Sequence, residues 1–111
     1  MAAVRQFLEP RLNGRKLKVL FGAMADKDLA GLLSEIAPIT DQFIFVAPNM
    51  KRAATPEQLV LLARSLGLKG TAAGGVAETL DAVTTRLELN DVLLVTGSLF
   101  VVGEAKQWFG S

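Results

Sequence analysis

The chain has 111 residues, 50% of them apolar and 21% charged, and its twelve basic and eleven acidic side chains leave a net charge of +1. That balance describes one globular domain and argues against a disordered chain or an electrostatic platform for nucleic acid. Cysteine and histidine are both absent, which removes disulfides, thiol nucleophiles, Ser-His-Asp hydrolysis and most zinc chemistry. With no secretion signal and no apolar run long enough to span a bilayer, the expected compartment is the cytosol.

In chain order, Ala2 to Leu12 places Val4, Phe7 and Leu8 on one face and predicts a helix that Pro10 ends or bends. Leu17 to Phe21 is a short apolar, β-prone run that stops at Gly22. Leu29, Leu32, Leu33 and Ile36 then fall on one face of a helix. Gln42 to Val46 reads as a second buried strand before Pro48. The next helix carries Leu59, Leu62, Ala63 and Leu66 on one side. Thr55-Pro56-Glu57-Gln58 marks its start and Gly67 its stop. Gly70 to Ala73 is a short, weak strand, and Val76, Leu80, Val83 and Leu87 form the stripe of another helix. Asp91 to Thr96 is a strand ended by Gly97. Leu99 to Phe109 closes the chain as a helix, although Val101 and Val102 count against it by propensity; Trp108 and Phe109 read as core or as a hydrophobic seam.

This alternation predicts a Rossmann-like, three-layer α/β/α domain over residues 1–111, with a mostly parallel sheet. Right-handed crossovers give a strand order of 4-1-2-3. The order reverses between strands one and four, and open α/β sheets bind ligands at the carboxyl ends of the strands at such a point. Two loops meet there: Gly22-Ala23-Met24-Ala25-Asp26-Lys27-Asp28 and Thr96-Gly97-Ser98.

Each candidate residue in these loops has two readings. Asp26 or Asp28 can cap a helix, with Lys27 solvated, or Lys27 and the helix amides can hold an anion. Ser98 can cap the last helix or touch a ligand. Arg52, after the second strand, can reach a carboxylate or phosphate or remain in solvent. Gly70 with Gly74-Gly75 matches neither Gly-x-x-x-x-Gly-Lys-Ser/Thr nor Gly-x-Gly-x-x-Gly, so turn glycines explain it. The carboxylates show no metal-ligand or acid/base pairing.

Leu20-Phe21-Gly22-Ala23-Met24-Ala25-Asp26-Lys27-Asp28, and later Val92-Leu93-Leu94-Val95-Thr96-Gly97-Ser98-Leu99-Phe100-Val101-Val102-Gly103-Glu104, resemble the C-terminal domain of folylpolyglutamate and dihydrofolate synthases, members of the Mur ligase family. The likeness extends through Arg52-Ala53 and the helix from Thr55. It implies a domain of an ATP- and Mg2+-dependent ligase that activates a folate or dihydropteroate carboxylate as an acyl phosphate for attack by glutamate. In that family the phosphate loop and the magnesium ligands belong to the N-terminal ATP-binding domain. The Asp-x-Ala-His-Asn-Pro motif that contacts nucleotide is also missing here, so the resemblance implies a domain excised from such a ligase, inactive alone and binding no cofactor by itself. It further implies that Lys27 and Ser98 bind the carboxylate of the incoming glutamate in the interdomain cleft, with Asp26, Asp28 and Arg52 as weaker candidates. The resemblance also implies two further strands of the family sheet, N-terminal to this chain, that flank Val92 to Thr96, so that their truncation would leave Val92 to Thr96 as an exposed edge. A free-standing module that binds small anions, or a purely structural α/β domain, remains the alternative, and no nucleic-acid or membrane partner is expected.

Overall fold

The computed structural model describes residues 6, 9–13, 15–88 and 91–110. Strands β1 (Lys16–Gly22), β2 (Gln42–Phe45), β3 (Gly70–Ala72) and β4 (Asp91–Gly97) alternate with helices α1 (Leu29–Ile36), α2 (Pro56–Ser65), α3 (Val76–Thr84) and α4 (Leu99–Phe109). A single 3-10 turn, Ala37–Ile39, continues α1. Every strand pair is parallel and the sheet runs β3-β2-β1-β4, which is the expected 4-1-2-3 seen from the other side. Among the described residues no strand covers the outer edge of β4.

The period of two in the strands divides the core into two layers. Leu17, Val19, Phe21, Phe43 and Phe45 face one side, where Leu33 and Ile36 of α1 and Leu59 and Ala63 of α2 cover them. Leu20 and Val46 face the other, under Val76 and Leu80 of α3 and Val101 and Ala105 of α4. Phe45 anchors the first layer, stacking on Phe43 at 5.6 Å and meeting Phe21 edge-on at 6.2 Å. Each large side chain buried in this way contributes about 1.5–3 kcal/mol. The same term accounts for α4: Val101 is fully buried, and tertiary packing outweighs the few tenths of a kcal/mol that its β-branch costs in a helix.

The helix ends follow their caps. Thr55 and Gln58 make the reciprocal box, with Gln58 N–H donating to Thr55 Oγ1 at 3.1 Å and Thr55 N–H to Gln58 Oε1 at 2.8 Å. At the other end of α2 the chain turns left-handed at Gly67, φ 75°. Leu66 is therefore the C-cap rather than a buried stripe residue, and it is exposed. Similarly α3 ends at Thr84, before Leu87. Near the start of the chain, Pro10 does not end the helix: residues 11 and 12 remain helical, and the turn comes at Asn13, φ 49°. Ala2, Val4, Phe7 and Leu8 of that expected helix lie outside the described residues. Trp108 packs on the second layer and donates from Nε1 to Asp81 Oδ1 at 2.8 Å, joining α4 to α3, whereas Phe109 is exposed rather than core.

Candidate functional site

The carboxyl ends of β1 and β4 come together at a pair of glycines. Gly22 and Gly97 are register partners in the parallel ladder. A Cβ on Gly97 would lie 1.9 Å from the Gly22 carbonyl oxygen, and one on Gly22 would lie 2.7 Å from the Val46 oxygen and 2.8 Å from a Val101 methyl. The backbones can approach this closely only without side chains. As a result the β1–α1 loop and the β4–α4 turn leave the sheet side by side, at the reversal of strand order.

The third loop, between β2 and α2, is fastened to the first of these loops and to helix α4. Met24 and Ala53 form an antiparallel bridge, Ala25 N–H donates to the Arg52 carbonyl at 2.8 Å, and Ala54 N–H donates to the Ala23 carbonyl at 2.9 Å. On its other flank, Asn49 N–H donates to Glu104 Oε2 of α4 at 2.8 Å. Nothing in the sequence points to this last contact. Glu104 lies far from Asn49 along the chain, and a single glutamate on a helix reads as a solvated surface residue.

Within this frame Asp28 is the N-cap of α1, its Oδ1 accepting from Gly31 N–H at 3.1 Å. Ser98 is the N-cap of α4, its Oγ accepting from Val101 N–H at 3.1 Å. A serine hydroxyl used in this way keeps its own proton to donate. Asp26 and Lys27 are exposed in the turn closed by Lys27 N–H to the Met24 carbonyl, 3.2 Å. Among the described residues the Lys27 ammonium has no ion-pair partner. Arg52 is exposed on the neighbouring loop, linked to the Lys27 loop through its backbone carbonyl. The structure thus brings all five candidates to one edge of the sheet. Two cations, a hydroxyl and two carboxylates there could meet the carboxylates and the ammonium of an amino acid.

A groove of about 490 Å³ lies elsewhere, between α3 and the face of β1–β3, lined by Lys18, Gln42, Ile44, Thr71, Glu78 and Arg86 among others. It shares no residue with the crevice loops, and its lysine is already engaged with Gln42 at 3.3 Å and Asp41 at 3.9 Å. The crevice, where loops from three strands converge at the switch point, is the better candidate site. Among the described residues no group of three or more acidic side chains could hold a metal ion, and no helix is long and apolar enough to cross a membrane.

Comparison with known proteins adds an independent line. Residues 1–99 match the family described as Mur ligase, glutamate ligase domain. A probable bifunctional folylpolyglutamate synthase/dihydropteroate synthase of Haloferax volcanii is 35% identical over 94 residues, 81% of this chain and 11% of that protein. The dihydrofolate synthase/folylpolyglutamate synthase of Escherichia coli K12 is 34% identical over 95 residues, 86% of this chain and 21% of that protein. The chain therefore spans about a tenth to a fifth of the length of these relatives. In structure it resembles Mycobacterium tuberculosis folylpolyglutamate synthase complexed with ADP and AMPPCP, with a TM-score of 0.83, 23% identity and coverage of 99% of this chain and 27% of that one. It also resembles E. coli FolC in complex with DHPP and ADP, with a TM-score of 0.79, 26% identity and coverage of 98% and 26%. The residue-level resemblance, the fold and the family match agree: this chain belongs to the Mur ligase, glutamate ligase domain family, as the kind of C-terminal domain found in folylpolyglutamate and dihydrofolate synthases.

Proposed function

We propose that the chain serves as the glutamate-receiving domain of a cytoplasmic ATP-dependent ligase that joins glutamate to a folate or dihydropteroate carboxylate. The observation that carries this reading is the Gly22–Gly97 register, which sets Lys27, without an ion-pair partner among the described residues, and the Ser98 hydroxyl on adjoining loops at the switch point. Lys27, with Arg52 beside it, would neutralise the carboxylates of the incoming amino acid, and Asp26 would face its ammonium. Holding the amine in one orientation converts its attack on an activated acyl group into an effectively intramolecular step.

ATP and Mg2+ do not fit this domain. The sequence has no phosphate loop, and the described residues have no cluster of acidic side chains that would bind a metal. Activation of the acid is accordingly assigned to an ATP-binding domain of the same ligase, and this domain supplies one wall of the cleft between them. Asp28 and Ser98 also cap their helices, so a substitution at either disturbs the fold and the site together, and Lys27 is the discriminating residue. A charge-assisted hydrogen bond is worth about 1.5–3 kcal/mol, so in the ligase carrying this domain Lys27→Ala lowers kcat/KM for glutamate by roughly 10- to 150-fold and leaves ATP affinity nearly unchanged. A folded variant whose glutamate kcat/KM stays within about threefold of wild type would remove Lys27 from the site, since an ordinary surface substitution changes little.

A further inference from the structure

We propose that Glu104 is a positioning residue for amino-acid binding, its carboxylate tying the β2–α2 loop to α4 so that the three crevice loops act as one unit. This rests on the reading of the crevice as the glutamate site. Glu104 is half-buried on α4, beside the fully buried Val101 and the buried Ala105 that fix the helix on the sheet. Its partner is the backbone N–H of Asn49, in the exposed stretch 49–52 that carries Lys51 and Arg52. That stretch has local turn bonds, Met50 N–H to the Pro48 carbonyl at 2.7 Å and Ala53 N–H to the Met50 carbonyl at 3.2 Å. Glu104 and the β1–α1 loop fasten it at its two ends, the former at Asn49 and the latter through Ala25 N–H to the Arg52 carbonyl. The connection therefore runs from the helix capped by Ser98, through Glu104 and Asn49, to Arg52, Ala25 and the turn that presents Lys27.

Releasing this tie leaves an exposed N–H that water can satisfy, so global stability changes little. The positions of Arg52 and of the Lys27 turn become less determined, and that loss is felt where groups must be held in place for a ligand. A residue of merely structural importance would show the opposite pattern.

The test uses Glu104→Ala and Glu104→Gln, the latter keeping an amide oxygen that can accept from Asn49. In the ligase carrying this domain, Glu104→Ala raises the glutamate KM about 3- to 10-fold with kcat within about twofold and the ATP KM unchanged, while Glu104→Gln stays within about twofold throughout. In the 111-residue protein, fast amide exchange by NMR reads the tie itself: exchange at Asn49 accelerates in the alanine variant and not in the glutamine variant. Unchanged exchange at Asn49 overturns the proposal, as does a wild-type glutamate KM despite faster exchange. A glutamine variant as impaired as alanine, yet with normal exchange at Asn49, also overturns it, because the effect then belongs to the lost charge. If Lys27→Ala is silent as well, the crevice reading itself has failed. If Lys27→Ala is effective and Glu104→Ala is not, only the positioning role has.

Discussion

Gly97→Ala is expected to be far more damaging than its single added methyl suggests, and the cost can be separated into two parts. The first is conformational: at φ 122° Gly97 occupies backbone space that L side chains rarely enter, which costs about 1–3 kcal/mol. The second is steric. The new Cβ would stand 1.9 Å from the carbonyl oxygen of Gly22, which belongs to β1, a strand paired on both edges and unable to move without shifting β2 and β4. Two other glycines calibrate these parts. Gly67 has a positive φ of 75° with no atom within 4 Å of its ideal Cβ, so Gly67→Ala shows the conformational part alone, about 1–2 kcal/mol. Gly103 lies within α4 with open space around it, so Gly103→Ala should stabilise by about 0.5–1 kcal/mol. Gly97→Ala should then exceed Gly67→Ala by at least about 1–3 kcal/mol, the usual cost of overpacking. Against a total stability of roughly 5–15 kcal/mol for a domain this size, that is a large fraction. Urea unfolding followed through Trp108 fluorescence measures all three. If Gly97→Ala costs no more than Gly67→Ala, the close approach of the two strand ends does not hold the crevice together and the argument from it fails.

Two further outcomes are expected. Thr55→Ala should lose the side-chain half of the capping box at α2, the Gln58 N–H to Thr55 Oγ1 bond, while the backbone N–H at position 55 can still donate to Gln58, and it should destabilise by about 1 kcal/mol in the same urea assay, with Thr55→Ser largely restoring it; a neutral alanine would mean that the packing of Leu59 and Ala63 alone sets the start of that helix. The 111-residue chain incubated with ATP, Mg2+, folate and glutamate should release no phosphate above background, and magnesium-dependent release by the pure protein would place a nucleotide site within this domain and overturn the division of labour proposed above.

The order of the sheet was legible because its ingredients are local. Apolar runs such as Leu17 to Phe21, stripes such as Leu33 and Ile36, and the cap at Thr55 each announce an element within a few residues, and crossover handedness then leaves few topologies. The limits of that reading are equally physical. Leu66 and Leu87 continue a helical period numerically, but a period does not reveal where the chain turns, and Gly67 and Thr85 end the helices sooner. At the crevice, the two glycines and the polar residues could be named, but their division into caps and unpaired groups could not. Asp26 and Asp28 are equivalent by composition, and only Asp28 has the geometry to reach Gly31. The Glu104–Asn49 contact was invisible, because a hydrogen bond between a helix and a remote loop leaves no periodic trace.

The pairing of β1 with β4 also has a kinetic meaning. Its register, from Lys16 with Asp91 to Gly22 with Gly97, joins segments from near the two ends of the chain, whereas β1, β2 and β3 pair in chain order across single helices. Contacts of long sequence separation bear the largest loop-closure entropy and form late in folding. During synthesis β1, β2 and β3 can associate as soon as they emerge, but the crevice has only one wall until β4 is made and docks. On the function proposed above, the ligand would bind only the fully docked sheet, so its binding would favour β4 docking by RT ln(1 + [L]/Kd). An amino acid held at this crevice would therefore act as a clamp on the last strand to join, slowing its undocking and with it the unfolding of the whole domain.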